Sequence, residues 1–90
     1  MNVILKIETK LREKINVLNL NLIDESYKHR NHKKDTSGGH YKLLLVSDDF
    51  VDMTLIKRHQ LIYDILSEMI KVDIHALSIQ AKTSKEYNHA

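Results

Sequence analysis

Ile74-His75-Ala76-Leu77-Ser78-Ile79 is the stretch that decides the fold, because it is an apolar strand that directly follows a long amphipathic helix. A strand that returns to a sheet through such a helix lies parallel to a neighbouring strand. The stretch also contains one imidazole, at a position where a branched aliphatic side chain would serve a strand equally well. His75 is therefore the first candidate for a functional residue, although a histidine that is hydrogen-bonded at the sheet edge would explain it as well.

The helix before this strand is predicted to run from Leu55 to about Ile70, with Thr54 as its N-cap. Apolar residues recur on one side every three or four positions, and polar residues lie opposite. The expected inner face consists of Leu55, His59, Ile62, Leu66 and Met69. After the strand, Thr83-Ser84-Lys85-Glu86 has the spacing of a capping box, which predicts a last short helical turn.

A helix and two further strands are predicted upstream. Helical spacing is shown by Ile4, Ile7, Leu11 and Ile15. The period changes to two from Leu18 to Ile23, and Tyr41 to Val46 is a second strand. We therefore predict an α+β fold with one three-stranded mixed sheet, a hairpin between its first two strands, and helices over one face. The residues expected to face the helices are Leu18, Leu20, Leu22, Leu43, Leu45, Leu77 and Ile79.

The hairpin is predicted to contain a long basic loop, residues 27–39. Four of the fourteen lysine and arginine residues lie in one run of this loop, Lys28 to Lys34. Loops of this length are uncommon in compact domains unless they are functional or mobile. The turn after the second strand carries adjacent Asp48 and Asp49, which we expect to point apart into water.

Length and composition indicate one small domain that covers residues 1–90. With 42% hydrophobic and 29% charged residues the chain is predicted to be globular, and no apolar run is long enough to cross a bilayer. The start of the chain lacks the features of a signal peptide and the sequence has no cysteine, so we expect a cytoplasmic protein. Eleven lysines against three arginines, with many Ile and Asn, are typical of an AT-rich genome and favour a bacterial source. An enzyme is not expected, because a cysteine nucleophile, a Gly-x-Ser-x-Gly motif and a phosphate loop are all missing from the sequence.

Several separate motifs, in order along the chain, resemble the BolA family. They are Asp24-Glu25-Ser26-Tyr27 with His29, the stretch His40 to Phe50, Arg58-His59, and the stretch Ile74 to Ser78. The similarity covers nearly the whole sequence. It implies a fold similar to class II KH domains, a monothiol glutaredoxin as partner and a bridging [2Fe–2S] cluster. For bacterial members it also implies a role in transcription and stress-linked morphology.

The resemblance implies that His75 and His29 are the cluster ligands of this chain, with His40 and His32 as alternative loop ligands. One iron of a [2Fe–2S] centre tolerates two imidazoles in place of two thiolates. A glutaredoxin cysteine and a glutathione thiol would then complete the ligand set. We therefore expect the isolated chain to be a monomer that binds no cluster by itself. His59 is expected to be a partly buried structural residue.

The chain departs from the usual family pattern in three respects. Gln60 stands where the family usually has an arginine, and Asp52 stands where a glycine is common. The loop between His29 and His40 is longer than usual and lacks the family's proline. Because these differences bear on the geometry of the loop, the choice of the second ligand stays open.

DNA binding is the alternative function. The KH-like topology favours it, and the residues that could contact phosphates are Lys28, Arg30, Lys33, Lys34, Lys57 and Arg58. Against it, the sequence lacks the GxxG element that clamps the nucleic-acid backbone in KH domains. The acidic turn from Asp48 to Asp52 would also repel phosphates, and one Phe and four Tyr offer little for base stacking.

Overall fold

The computed structural model describes residues 2–29 and 39–89 and confirms the α+β fold. The helices are α1 (Val3–Lys14), α2 (Leu55–Ile65) and α3 (Ser84–Asn88), and the strands are β1 (Asn19–Asp24), β2 (Gly39–Val46) and β3 (Ile74–Lys82). Short 3₁₀ turns occupy Ser26–His29 and Asp48–Phe50. Among the described residues, no helix is long and apolar enough to cross a membrane.

The sheet is mixed, as the sequence predicts. Its strand order is β1-β2-β3, with β1 antiparallel to β2 and β2 parallel to β3. Leu43 in the central strand lies opposite Leu22 on one side and Ile79 on the other, so the apolar residues of all three strands share one face. The register of the parallel pair shifts between Gly39 and His40.

The core lies between that face of the sheet and helices α1 and α2. Ile7, Leu11, Leu43 and Leu45 are fully buried. The other residues that were predicted to face inward are partly buried against this core, namely Leu20, Leu22, Leu77 and Ile79. Leu18 is the exception: its side chain is 53% exposed. The prediction for Leu18 is wrong because β1 begins only at Asn19, so Leu18 stands before the alternating ladder.

Helix α2 is shorter than the sequence predicts. It ends at Ile65, with Leu66 as its C-cap, rather than near Ile70. The chain then turns, and Lys71 adopts a left-handed backbone conformation with φ of 69°. This turn still carries Leu66 and Met69 into the core, so both remain buried.

Two side chains on α2 contact the outer edge of β3. The Tyr63 hydroxyl donates to the Leu77 carbonyl over 3.2 Å, and the Arg58 guanidinium donates to the Ala81 carbonyl over 3.0 Å. Leu55, which was predicted to lie on the inner face, is 64% exposed. That prediction is wrong because Arg58 takes the buried position near the start of the helix.

The predicted helix starts are confirmed. Thr54 caps α2 by accepting a hydrogen bond from the Lys57 amide, and Thr83 with Glu86 forms the capping box of α3. Asp52 has φ of 66°, in the left-handed region where a glycine is least strained. A glycine at this position would therefore be less strained than Asp52.

We expect Leu66→Ala to lower the free energy of unfolding by about 2–5 kcal/mol, because it would leave a cavity at a fully buried position. Leu55→Ala removes the same atoms from an exposed position of the same segment. It should change the free energy of unfolding by no more than about 0.5 kcal/mol. Urea titrations of the two variants and the parent chain measure both values. Equal losses in the two variants would contradict the described core.

Candidate metal centre

His75 is the second residue of β3 and lies at an irregular point of the sheet. Gly39 of β2 is opposite Ile74, but the next residue, His40, is opposite Ala76. His75 is therefore an extra residue with no counterpart in β2, which is the arrangement of a β-bulge. Ile74 is buried, whereas the His75 side chain is exposed. Bulges of this kind often redirect a side chain at a functional site.

The imidazole of His40 lies next to that of His75. Their ring centroids are 4.9 Å apart, and the ring planes are tilted by 44°. His40 precedes buried Tyr41 in β2, so the two residues point to opposite faces of the sheet. The His40 and His75 side chains, here called the imidazole pair, thus lie away from the core.

The chemistry of the imidazole pair suits a metal. Imidazole nitrogen binds iron, zinc, copper and nickel, and two neighbouring rings can supply two ligand positions to one ion. Among residues 2–29 and 39–89, no group of three or more His, Cys, Asp or Glu side chains could hold a metal ion. Within the described ranges the pair could therefore supply two ligands at most, and further ligands would have to come from elsewhere.

The segment that leads from β1 toward β2 carries a small polar network beside the imidazole pair. The Ser26 backbone N–H donates to the Asp24 carboxylate over 2.8 Å, and hydrogen bonding with the Ser26 side chain and backbone lowers the pKa of this carboxyl. Burial raises the pKa of the Tyr41 hydroxyl, and the charges of Asp24 and Asp73 add to that shift. The network holds the 3₁₀ turn against the start of β2.

Several predicted ligands and phosphate contacts fall outside what the structure describes. The backbone of His29 ends the 3₁₀ turn that follows β1, but its side chain and that of Lys28 lie outside the described residues. Arg30, His32, Lys33 and Lys34 lie there entirely. The predictions for these residues stay predictions.

The remaining histidines lie apart from the imidazole pair. His59 is half-buried on α2, beside a groove that is also lined by Ile79 and Lys82. This partial burial agrees with the structural role expected from the sequence. His89 is the exposed C-cap of α3.

Arg58, which the sequence analysis offered as a phosphate contact, is instead buried, with only 5% of its surface exposed. Its guanidinium donates to the carbonyls of Met53 and Ala81, each over 3.0 Å. Nη1 also lies 2.6 Å from the Glu86 carboxylate, and the guanidinium carbon lies 5.8 Å from the centroid of the buried Phe50 ring. Because protein groups already bind this cation, the prediction of Arg58 as a phosphate contact is wrong. Arg58 is a structural residue. Lys57, its neighbour, is exposed.

Asp48 and Asp49 were expected to point apart into water, but both accept hydrogen bonds from other segments of the chain. Asp48 accepts hydrogen bonds from the backbone N–H and the hydroxyl of Ser84, which lower its pKa. Asp49 accepts from the Asn16 backbone N–H over 2.8 Å. The two carboxylates thus join the turn after β2 to the start of α3 and to the segment after α1. Only the order of the residues Ser47-Asp48-Asp49 before a buried aromatic could have signalled this role.

A family model for BolA-like proteins matches residues 11–86 of the sequence. The chain belongs to the BolA family. Among its relatives, the Escherichia coli protein named DNA-binding transcriptional regulator BolA is 38% identical over 82 residues, which cover 91% of this chain and 76% of that protein. SufE-like protein 1 of Arabidopsis thaliana is 40% identical over 88 residues, but this BolA-family chain spans only 24% of that protein's length.

Solved structures of BolA proteins have the same architecture. BolA1 from Arabidopsis thaliana superposes on this BolA-family chain with a TM-score of 0.81 at 35% identity, over 96% of each chain. The BolA domain of SufE1 from the same plant gives a TM-score of 0.79 at 40% identity, over 91% of this chain and 92% of that one.

Stability should depend on pH through Glu86, whose pKa is lowered from 4.5 to about 2, chiefly by the hydrogen bond from Arg58. A carboxyl whose pKa is lower in the folded chain stabilises it above its unfolded pKa, and the effect is lost as pH falls toward the folded value. Glu86→Gln should therefore lower the free energy of unfolding at pH 7, and the difference should disappear near pH 2. Urea titrations at both pH values measure this, with Glu13→Gln, an exposed position on α1, as control.

Proposed function

We propose that this BolA-family chain forms a heterodimer with a monothiol glutaredoxin and shares a [2Fe–2S] cluster with it through histidine ligands. Such an adaptor would act in iron–sulfur trafficking or in iron and redox signalling. The observation that carries the proposal is the imidazole pair, in which exposed His75 lies at a β-bulge with its ring centroid 4.9 Å from that of His40.

The residues present fit one side of a shared cluster. The sequence has no cysteine, so iron ligands from this chain must come chiefly from imidazole. Two histidines can replace two thiolates on one iron of a [2Fe–2S] centre, and such a cluster has a raised reduction potential when bound. The chain would supply these two ligands, and the glutaredoxin cysteine and the glutathione thiol would supply the other two.

His75 is the better fixed of the proposed ligands, because a strand sets the direction of its side chain. Three candidates compete for the second position. The geometry favours His40, whose ring neighbours that of His75. The resemblance in sequence favours His29, whose backbone lies at the end of the turn that Ser26 begins. His32, the other loop alternative, lies outside the described residues. Single and double substitutions can separate the three.

We expect His75→Ala to abolish the distinct absorption and circular-dichroism spectrum that a cluster-loaded glutaredoxin acquires when this chain is added. The fold and the association without cluster should be preserved, because the side chain is exposed. His89→Ala, an exposed histidine on α3, is the matched control and should leave the spectrum unchanged. If His40 is the second ligand, His40→Ala should match His75→Ala; if the loop supplies it, His29→Ala should do so.

An unaltered spectrum in the His75→Ala heterodimer would exclude His75 as a ligand. A spectrum of the loaded glutaredoxin that does not change when the parent chain is added would exclude the proposed function itself. Association of the two proteins, measured by titration calorimetry, distinguishes a missing partner from a missing ligand.

A second candidate is DNA binding, since a relative with 38% identity is named a DNA-binding transcriptional regulator. Exposed Lys57 and the basic run from Lys28 to Lys34 would supply phosphate contacts. Arg58 is withdrawn from this set, because its guanidinium is buried against Glu86. The acidic turn counts against this function, because Asp48 and Asp49 are exposed and keep their charge although they accept hydrogen bonds from backbone N–H groups.

If the basic loop contacts phosphates, glutamine at Lys28, Arg30, Lys33 and Lys34 should flatten the dependence of log affinity on log salt by about 0.9 for each lost contact. Lys57→Gln tests the surface of α2 in the same way, and Lys14→Gln on α1 is a control of equal charge. Fluorescence anisotropy with labelled duplex DNA measures the slopes. The parent chain must bind at about 0.1 M salt, where non-specific contacts are already weakened, for this function to stand.

A further inference from the structure

The backbone of His40 is held by residues that immediately follow β1. Its N–H donates to the hydroxyl oxygen of Ser26 over 3.0 Å, and its carbonyl accepts from the Glu25 N–H over 2.7 Å. The preceding residue, Gly39, donates its N–H to the carbonyl of Asp73 over 3.0 Å. The first two residues of β2 are therefore fixed from both neighbouring segments of the chain.

Asp24 holds Ser26 in place. The Asp24 carboxylate accepts the Ser26 N–H over 2.8 Å, and hydrogen bonding with Ser26 lowers its pKa. The hydroxyl oxygen of Ser26 has lone pairs that accept, and it accepts the N–H of His40. Asp24 thus holds the residue that fixes the start of β2.

Packing around Gly39 keeps Ser26 in place. A Cβ atom on Gly39 would lie 2.7 Å from the Tyr41 hydroxyl oxygen and 2.8 Å from the Ser26 oxygen, closer than real Cβ atoms approach. The side chains of Ser26 and Tyr41 therefore lie directly against the backbone of Gly39. A larger residue at position 39 would displace one of them.

The geometry of the imidazole pair depends on where β2 starts. The register shift between Gly39 and His40 is what leaves His75 without a counterpart and brings its ring next to that of His40. A slip of one residue would exchange the two faces of the strand, so that His40 would turn toward the core and Tyr41 away from it. The hydrogen bonds at the first residues of β2 oppose this slip.

We propose that Ser26 is the positioning residue of the imidazole pair: its hydroxyl, on a backbone held by Asp24, fixes the start of β2 and with it the distance between the His40 and His75 rings. The inference rests on the proposed function for its biological purpose, but the arrangement of the rings is a property of the chain without cluster or partner. Ser26 touches no metal in this role and acts through the backbone of His40.

The test compares Ser26→Ala with Thr9→Ala in the full-length chain without cluster. Thr9→Ala also removes a hydroxyl that donates to a backbone carbonyl, that of Leu5, but on the exposed side of α1. Nuclear Overhauser contacts between the two imidazole rings report their distance, and amide hydrogen exchange at His40 reports its hydrogen bond. We expect Ser26→Ala to remove the ring contact and to speed exchange at His40 by about five- to tenfold, the factor that corresponds to one hydrogen bond.

Asp24→Ala provides a second variant, because it removes the acceptor of the Ser26 backbone N–H and leaves Ser26 itself intact. Asp24→Ala should also weaken the nuclear Overhauser contact between the two rings. The proposal can therefore be tested even if Ser26→Ala does not fold. Thr9→Ala should keep both signals, and the ring of His59 should be unchanged in all three variants. Retention of the ring contact in folded Ser26→Ala, or in Asp24→Ala if the first variant is unfolded, would overturn the proposal.

The loaded heterodimer separates this inference from the proposed function. If the parent chain takes the cluster, Ser26→Ala should shorten the cluster's lifetime relative to Thr9→Ala. If the parent chain does not change the glutaredoxin spectrum, the cluster proposal fails, while the ring contacts of the isolated variants still decide the role of Ser26.

Discussion

The buried guanidinium of Arg58 is the interaction on which the rest of the fold depends. It joins the segment before α2, the end of β3 and the short helix α3 through the carbonyls of Met53 and Ala81 and the carboxylate of Glu86. A charge in this position costs several kcal/mol unless it is paired and hydrogen-bonded, so all of its partners must be present together. Helix α3 has only five residues and would not persist alone. It is held by Arg58 and by the bonds between Ser84 and Asp48.

The contacts of Arg58 and Asp48 lie at the opposite end of the sheet from the imidazole pair. His40 and His75 stand at the start of the parallel strands β2 and β3, and the contacts of Arg58 and Asp48 gather at their ends. From His75 to Ala81 the strand covers roughly 20 Å, at about 3.3 Å for each residue. Substitutions this far apart, with no shared partners, usually act independently. Substitutions of His40 or His75 should therefore leave the contacts of Arg58 and Asp48 in place.

Much of the fold could be predicted from the sequence, since the change of period from helix to strand and the capping box of α3 are local patterns. The end of α2 could not, because no glycine or proline marks it and Lys71 takes the left-handed conformation instead. The burial of Arg58 was also missed, since its partners are two backbone carbonyls and a glutamate 28 residues away. At the candidate site, the pattern of β3 singled out His75. Its position beside His40 depends on a register shift that leaves no trace in the alternation of residues.

The bonds from α2 to β3 also have a consequence for how the chain behaves among other proteins. β3 is the outermost strand of the sheet, and an outermost strand normally offers its free backbone groups to any passing strand, which is how aggregates and swapped dimers begin. Here the Leu77 carbonyl already accepts from Tyr63, and the Ala81 carbonyl already accepts from Arg58. A foreign strand that paired with β3 would have to displace both donors. It would also remove one hydrogen-bond acceptor from the buried guanidinium of Arg58. These two contacts therefore oppose the addition of a foreign strand at this edge of the sheet.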